Sequence, residues 1–145
     1  MNVIIDADAC PVVNIAVNLC KEYDIKVFLF CDTSHIIDID GAETVVVSKG
    51  SDSADFAIVA ACRAGDIVIT QDYGLAAMCL SKKAKVINQN GMIYNENNID
   101  SLLFSRYTAK RARMAGQKIK GPKKRTEKQN DDFEKNFRAL ILKCM

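Results

Sequence analysis

The sequence is poor in the residues from which soft-metal and redox sites are built. It holds one histidine, His35, and six cysteines without a CxxC pair among them, so a Cys/His zinc site has almost nothing to stand on. Cys10, Cys20, Cys31, Cys62, Cys79 and Cys144 fall mostly inside apolar runs. In a chain able to build a core they read as small hydrophobes kept reduced, not as a disulfide framework. No apolar run approaches the roughly 18–20 residues of a membrane span. The opening MNVIIDADAC has no basic segment and sets two carboxylates where a secretory signal would be apolar, so a cytoplasmic protein is expected. Internal repeats are absent too. With 145 residues, 49% hydrophobic and 26% charged, the chain suits one globular domain over 1–145.

Charge is plentiful but unevenly placed. Residues 1–105 carry 7 basic and 14 acidic side chains, whereas residues 106–145 carry 13 basic and 4 acidic. The halves therefore differ in sign, −7 against +9, and sum to the net +2. Such asymmetry points to a polyanionic partner, with a solvated basic face as the bland alternative.

Apolar segments alternate with helical patterns along the acidic part. Strands are expected at 2–6, a run rich in β-branched residues, and at 26–31, 43–48, 66–70 and 85–88, all short and apolar. Between them, a helix face runs from Pro11 through Val12, Ile15, Ala16, Leu19, Cys20 and Tyr23. Turn chemistry at 49–53 precedes an Ala-rich helix at 54–64 that stops at Gly65, and a short helix follows at 75–81. Nearly continuous apolar strands separated by helices predict a three-layer α/β/α fold around a mostly parallel sheet of about five strands. A basic helix at 99–114, an irregular segment at 115–125 and an amphipathic stripe at 131–144 would form a basic helical C-terminal extension of the same domain.

Several carboxylates fall where an open parallel sheet takes its ligands, at the carboxyl ends of strands. Asp6 ends the first strand and Asp8 follows it; Asp72 follows the fourth, in Thr70-Gln71-Asp72. If the first and fourth strands are neighbours at the switch point, Asp6, Asp8 and Asp72 meet in one crevice, with Asp55 within reach. Like charges so close are unfavourable without a counter-cation. Mg²⁺ or Mn²⁺ resolves the conflict with oxygen ligands, activates water and needs no histidine base. Each residue has a plainer reading. Asp52 and Asp55 suit a helix N-terminus, and capping is the better account of Asp52. Asp72 before Tyr73-Gly74 fits a turn, Thr70 an ordinary strand end, and His35 a loop. Asp6 is harder to dismiss, because a carboxylate ending a buried strand is costly without a partner.

The opening IIDADACP, the block GSDSADFAIVAACRAGDIVITQDYGLA and the tail from Arg106 through KGPKK to the DDF near position 132 resemble the YaiI/YqxD family of bacterial proteins. The resemblance runs over nearly the whole chain. That family is similar to the PIN-domain-like nucleases, which hold Mg²⁺ or Mn²⁺ for RNA cleavage with an Asp after strand one, an acidic residue on a following helix and a T-x-D step after strand four. The resemblance implies those roles for Asp6, Asp55 and Asp72 with Thr70, and Asp8 would add to the first position.

The basic residues supply the second half of the expectation. Arg106, Lys110, Arg111 and Arg113 lie at helical spacing, and Lys118, Lys120, Lys123, Lys124 and Arg125 continue the patch. That is the footprint of a phosphate backbone. Only Tyr107 interleaves an aromatic, so base stacking has little support at this level. Alternatively, these cations neutralise the acidic half within one molecule or across a homo-oligomer. The leading expectation is a metal-dependent phosphodiesterase acting on RNA, against a non-catalytic RNA- or nucleotide-binding protein. A haloacid-dehalogenase-like phosphatase is a third reading, from the DxD of Asp6 and Asp8 and the acidic pair Asp66 and Asp72. A strand between the latter two, at about 3.3 Å per residue, sets them at opposite ends of the sheet.

Overall fold

The computed structural model describes residues 1–48, 53–116 and 124–145. Among these, β1 (Asn2–Asp6), β2 (Lys26–Asp32), β3 (Glu43–Val47), β4 (Ile67–Ile69) and β5 (Lys85–Ile87) lie parallel, and β6 (Ile93–Tyr94) is antiparallel to β5. The sheet order is β3-β2-β1-β4-β5-β6. Five helices accompany it: α1 (Val13–Glu22), α2 (Ser53–Ala61), α3 (Tyr73–Ser81), α4 (Ile99–Met114) and α5 (Glu127–Cys144).

The strands are continuous apolar runs because both of their faces are covered. Val3, Ile5, Val27, Leu29, Cys31, Ile67, Ile69 and Ile87 pack with α1 and α5 on one side. Their alternates Ile4, Phe30, Val68 and Val86 pack with α2, α3 and the start of α4 on the other. The two-residue period of a strand thus divides each run between two cores. From β1 the chain steps outward to β2 and β3, then returns past β1 to β4 and β5. The order reverses between β1 and β4, whose pairing sets Ile5 beside Ile69. A crevice opens at the carboxyl ends of such a pair, since the connections leave it on opposite faces.

The expected α/β/α sandwich is present, with a sixth strand that two residues could not announce by periodicity. β6 follows the turn at Gly91, whose φ of +88° suits glycine and where a Cβ would meet the Asp132 carbonyl oxygen at 2.7 Å. A second difference lies in the C-terminal segment. Its division at residue 105 follows charge, not packing, because α5 is a core helix. Phe133, Phe137, Leu140 and Ile141 are buried with α1, and the two phenylalanine rings stack at 5.2 Å. This helix also starts a turn earlier than its apolar stripe, at a capping box formed by Thr126 and Gln129.

At the amino-terminal edge of the sheet sits Asp66, only 6% exposed. Its Oδ1 accepts from the Asn2 amide at 3.0 Å and its Oδ2 from the Arg63 amide at 3.0 Å. It precedes β4 and Asp72 follows it, so the two carboxylates stand at opposite edges. None of the helices is long and apolar enough to cross a membrane, among the described residues. All six cysteines are free thiols.

Candidate active site

Thr70 organises the crevice. It is 2% exposed, held by its amide to the Ile87 carbonyl at 3.1 Å. Its own carbonyl accepts from the buried Tyr94 hydroxyl at 3.2 Å. Its Oγ1 donates to Asp6 Oδ2 at 2.9 Å and accepts from the Asp72 amide at 3.0 Å. One hydroxyl therefore couples the end of β1 to the loop after β4. Burial pushes the Asp6 carboxyl above its ordinary range, the Thr70 hydrogen bond opposes this, and the charges of Asp72 and Asp8 raise it further.

Asp72 caps α3, accepting at Oδ1 from the Gly74 amide at 2.8 Å and the Leu75 amide at 3.2 Å. Arg106, from α4, adds its Nη1 to the same oxygen at 3.2 Å. All three contacts fall on Oδ1. Asp8 lies in the loop after β1, where its Oδ2 accepts from the Asp32 amide at 3.1 Å. Its Oδ1 is buried without a hydrogen-bond partner among the described residues, a costly state for a carboxylate oxygen. The loop turns through Ala9 at φ +59°, whose carbonyl accepts from Gln71 Nε2 at 2.9 Å. That bond ties the β1 loop to the β4 loop.

Asp6, Asp8 and Asp72 line one open cavity of about 330 Å³ together with Ala9, Gln71, Tyr73 and Arg106. The crevice expected at the switch point therefore collects three of the four proposed carboxylates. Asp55 is not among the lining residues; it lies half-buried in the first turn of α2, with its charge felt at Cys79 of α3. Asp52 lies outside the described residues. His35 is exposed, yet it belongs to the one group of three, among the described residues, whose ligand atoms lie within 4.8 Å of one another: Asp8, Asp32 and His35, without Asp6 or Asp72.

Two participants were not singled out in the sequence. Asp32 ends β2 as Asp6 ends β1, and the same strand-end rule finds it; its Oδ1 accepts from the Ser34 amide at 2.7 Å. Tyr73 gives no such signal, since a tyrosine opening a helix is ordinary. It meets Tyr94 edge-on, with ring centroids 6.0 Å apart.

The basic residues separate into distinct groups. Arg106, Lys110 and Arg113, at spacings of four and three, share one side of α4, and Arg106 ends in the cavity. Arg111, five residues on from Arg106 and so about 140° round the helix, sits on another side against Tyr107, which corrects the expectation that all four share one side. Lys124 is exposed. Arg125 is not a free phosphate ligand: it donates to Asn130 Oδ1 at 2.7 Å, Asn90 Oδ1 at 2.6 Å and the Gln89 carbonyl at 2.6 Å. It thereby anchors the start of α5 to the turn before β6. Lys118, Lys120 and Lys123 lie outside the described residues. Two tail cations do pair with the acidic part in the same molecule, Arg106 with Asp72 and Arg138 with Glu22.

Fold and crevice together define a doubly wound α/β protein with an acidic site at its switch point. The model of the family described as "Uncharacterized BCR, YaiI/YqxD family" matches residues 4–143. The chain belongs to that family. It is 47% identical over 141 residues to a UPF0178 protein of Exiguobacterium sibiricum, covering 97% of this chain and 96% of the relative. A UPF0178 protein of Clostridium acetobutylicum is 46% identical over 145 residues, covering 99% and 98%. No solved structure gives a significant match.

Proposed function

We propose that this protein is a cytoplasmic, metal-dependent phosphodiesterase that cleaves nucleic acid, RNA in the first place, in the cavity lined by Asp6, Asp8 and Asp72. The observation that carries the reading is the mismatch between carboxylate oxygens and internal donors there. Asp8 Oδ1 is buried without a hydrogen-bond partner among the described residues, and Asp6 is held in a setting that disfavours its charge. The donor set is all oxygen, the chemistry that suits Mg²⁺ or Mn²⁺. Asp6, Asp8 and Asp72 would hold such an ion. When bound, it supplies an acidified water and neutralises charge on a phosphoryl oxygen.

The protein's own groups do the positioning. Thr70 Oγ1 fixes Asp6 and the Asp72 amide in one register, and capping of α3 fixes the Asp72 side chain. Arg106 brings a guanidinium to the same rim, where a scissile phosphate needs a cation. Asp55 keeps the role implied by its family position only if it reaches the site from outside the cavity lining. Lys110 and Arg113 extend the positive side of α4 away from the rim.

The test is hydrolysis of labelled RNA by wild type, Asp6→Asn and Asp72→Asn with Mn²⁺ and with EDTA. Activity with Mn²⁺ should fall at least about 100-fold in either variant and vanish in EDTA. Unchanged turnover in both variants would end the proposal. A non-catalytic nucleic-acid-binding role is the second reading, favoured by the Arg106 contact, which already neutralises Asp72 without an ion. It predicts RNA binding indifferent to divalent metal and no turnover. A phosphatase pairing Asp66 with Asp72 gains nothing from the opposed positions of those residues.

A further inference from the structure

Helix α4 carries a feature that the carboxylate site does not use. Its first turns pack Ile99, Leu102 and Leu103 against the sheet-side core. Beyond them the helix leaves Phe104 69%, Tyr107 56% and Met114 79% exposed. With Arg111 they recur at spacings of three, four and three, so they form one stripe along about 15 Å of helix. Arg111 lies 5.8 Å from the Tyr107 ring centroid and donates to its hydroxyl at 3.1 Å. Large apolar groups so exposed on one line mark a contact surface.

Charge identifies the kind of partner. Residues 101–116 hold four basic side chains and no acidic one. A two-fold pairing of this stripe with its copy would set like-charged helices against each other. A polyanion with flat apolar groups meets both demands. The adjoining arc of Arg106, Lys110 and Arg113 runs to the cavity, where Arg106 is part of the wall. The surface is therefore continuous with the carboxylate site.

We infer that the Phe104–Tyr107 stripe is a stacking surface for unpaired bases, and that Arg106, Lys110 and Arg113 take the phosphates beside it. The substrate class is then single-stranded nucleic acid. Bases in a duplex already stack on one another and offer no open face. The inference rests on the nucleic-acid reading above and narrows it.

Fluorescence anisotropy in EDTA separates the two. The probes are a short labelled oligoribonucleotide and the same strand annealed to its complement. The single strand should bind at least about tenfold tighter than the duplex. Phe104→Ala with Tyr107→Ala should weaken single-strand binding by about tenfold or more and leave duplex binding unchanged. Lys110→Ala with Arg113→Ala should weaken both and lower the single-strand salt slope by about 1.4. Unaltered thermal melting would show that these exposed substitutions keep the fold. Equal binding of duplex and single strand, or an unaffected aromatic variant, overturns the stacking surface and leaves the nucleic-acid reading standing. Binding of neither strand at low salt removes both. Sedimentation showing a dimer that only the aromatic variant dissolves, with oligonucleotide affinity unchanged, assigns the stripe to self-association instead.

Discussion

Asp66 and Asp8 are the same residue type at opposite edges of one sheet, and their surroundings differ in kind. Asp66 spends both oxygens on backbone amides of Asn2 and Arg63. Asp8 satisfies one oxygen with the Asp32 amide and buries the other without a partner among the described residues. At one edge the carboxylate closes off loose donors left by β1 and the turn before β4. At the other, Asp6, Asp8 and Asp72 line one cavity with fewer donors than oxygens. A buried carboxylate with both oxygens answered is part of the scaffold. One left short, beside two others, is held for something else.

Variants at the two edges should therefore move stability in opposite directions. Asp66→Ala leaves two part-buried amides without their acceptor, at about 1–3 kcal/mol each, and the melting temperature should drop by roughly 10 °C. A stable Asp66→Ala protein would break the contrast from the structural side. At the other edge, Mn²⁺ at about 100 times its dissociation constant should raise wild-type stability by about 2.7 kcal/mol. Differential scanning fluorimetry reads this directly, and Asp6→Asn should lose most of the gain.

The third expectation concerns pH without metal. Asp6 is raised above the ordinary carboxylate range by burial, with Asp72 and Asp8 adding to it. The folded state therefore holds its proton to a higher pH than the unfolded chain, and stability falls as pH rises through the folded value. At neutral pH the charged Asp6 is a cost, so Asp6→Asn should melt a few degrees above wild type in EDTA. Below the unfolded carboxylate range both forms are neutral and the gap should close. A gap that widens on acidification contradicts the assignment. The smallest effect belongs to Arg106→Ala. Its ion pair with Asp72 is largely exposed, so stability should change by less than about 1 kcal/mol. Mn²⁺ affinity should rise by a few fold as a competing cation leaves Asp72, measurable by calorimetry.

Much of this was legible in the residues. Continuous apolar strands broken by helices gave the parallel sheet, and strand-end carboxylates gave Asp6, Asp8 and Asp72 a common edge. Asp32 follows the same rule, ending β2 as Asp6 ends β1. What the sequence withheld depends on neighbours distant in the chain. Nothing local distinguishes Arg106, which reaches Asp72 across 34 positions, from Arg125, which is spent on Asn90 and Gln89. The exposure of Phe104 was hidden for the same reason. An aromatic in a helix reads as core until the packed side, here Leu102 and Leu103, is known. Asp55 was placed by family pattern, and the cavity lining does not include it.

Titration calorimetry with Mn²⁺ alone, on wild type, Asp8→Asn and Asp24→Asn, reaches the central claim without RNA or turnover. Asp24 is exposed before β2 at the amino-terminal edge and serves as the control. The account predicts a saturable heat in wild type and Asp24→Asn, and an affinity reduced at least about tenfold in Asp8→Asn. No binding to wild type, or equal binding to all three, would contradict it.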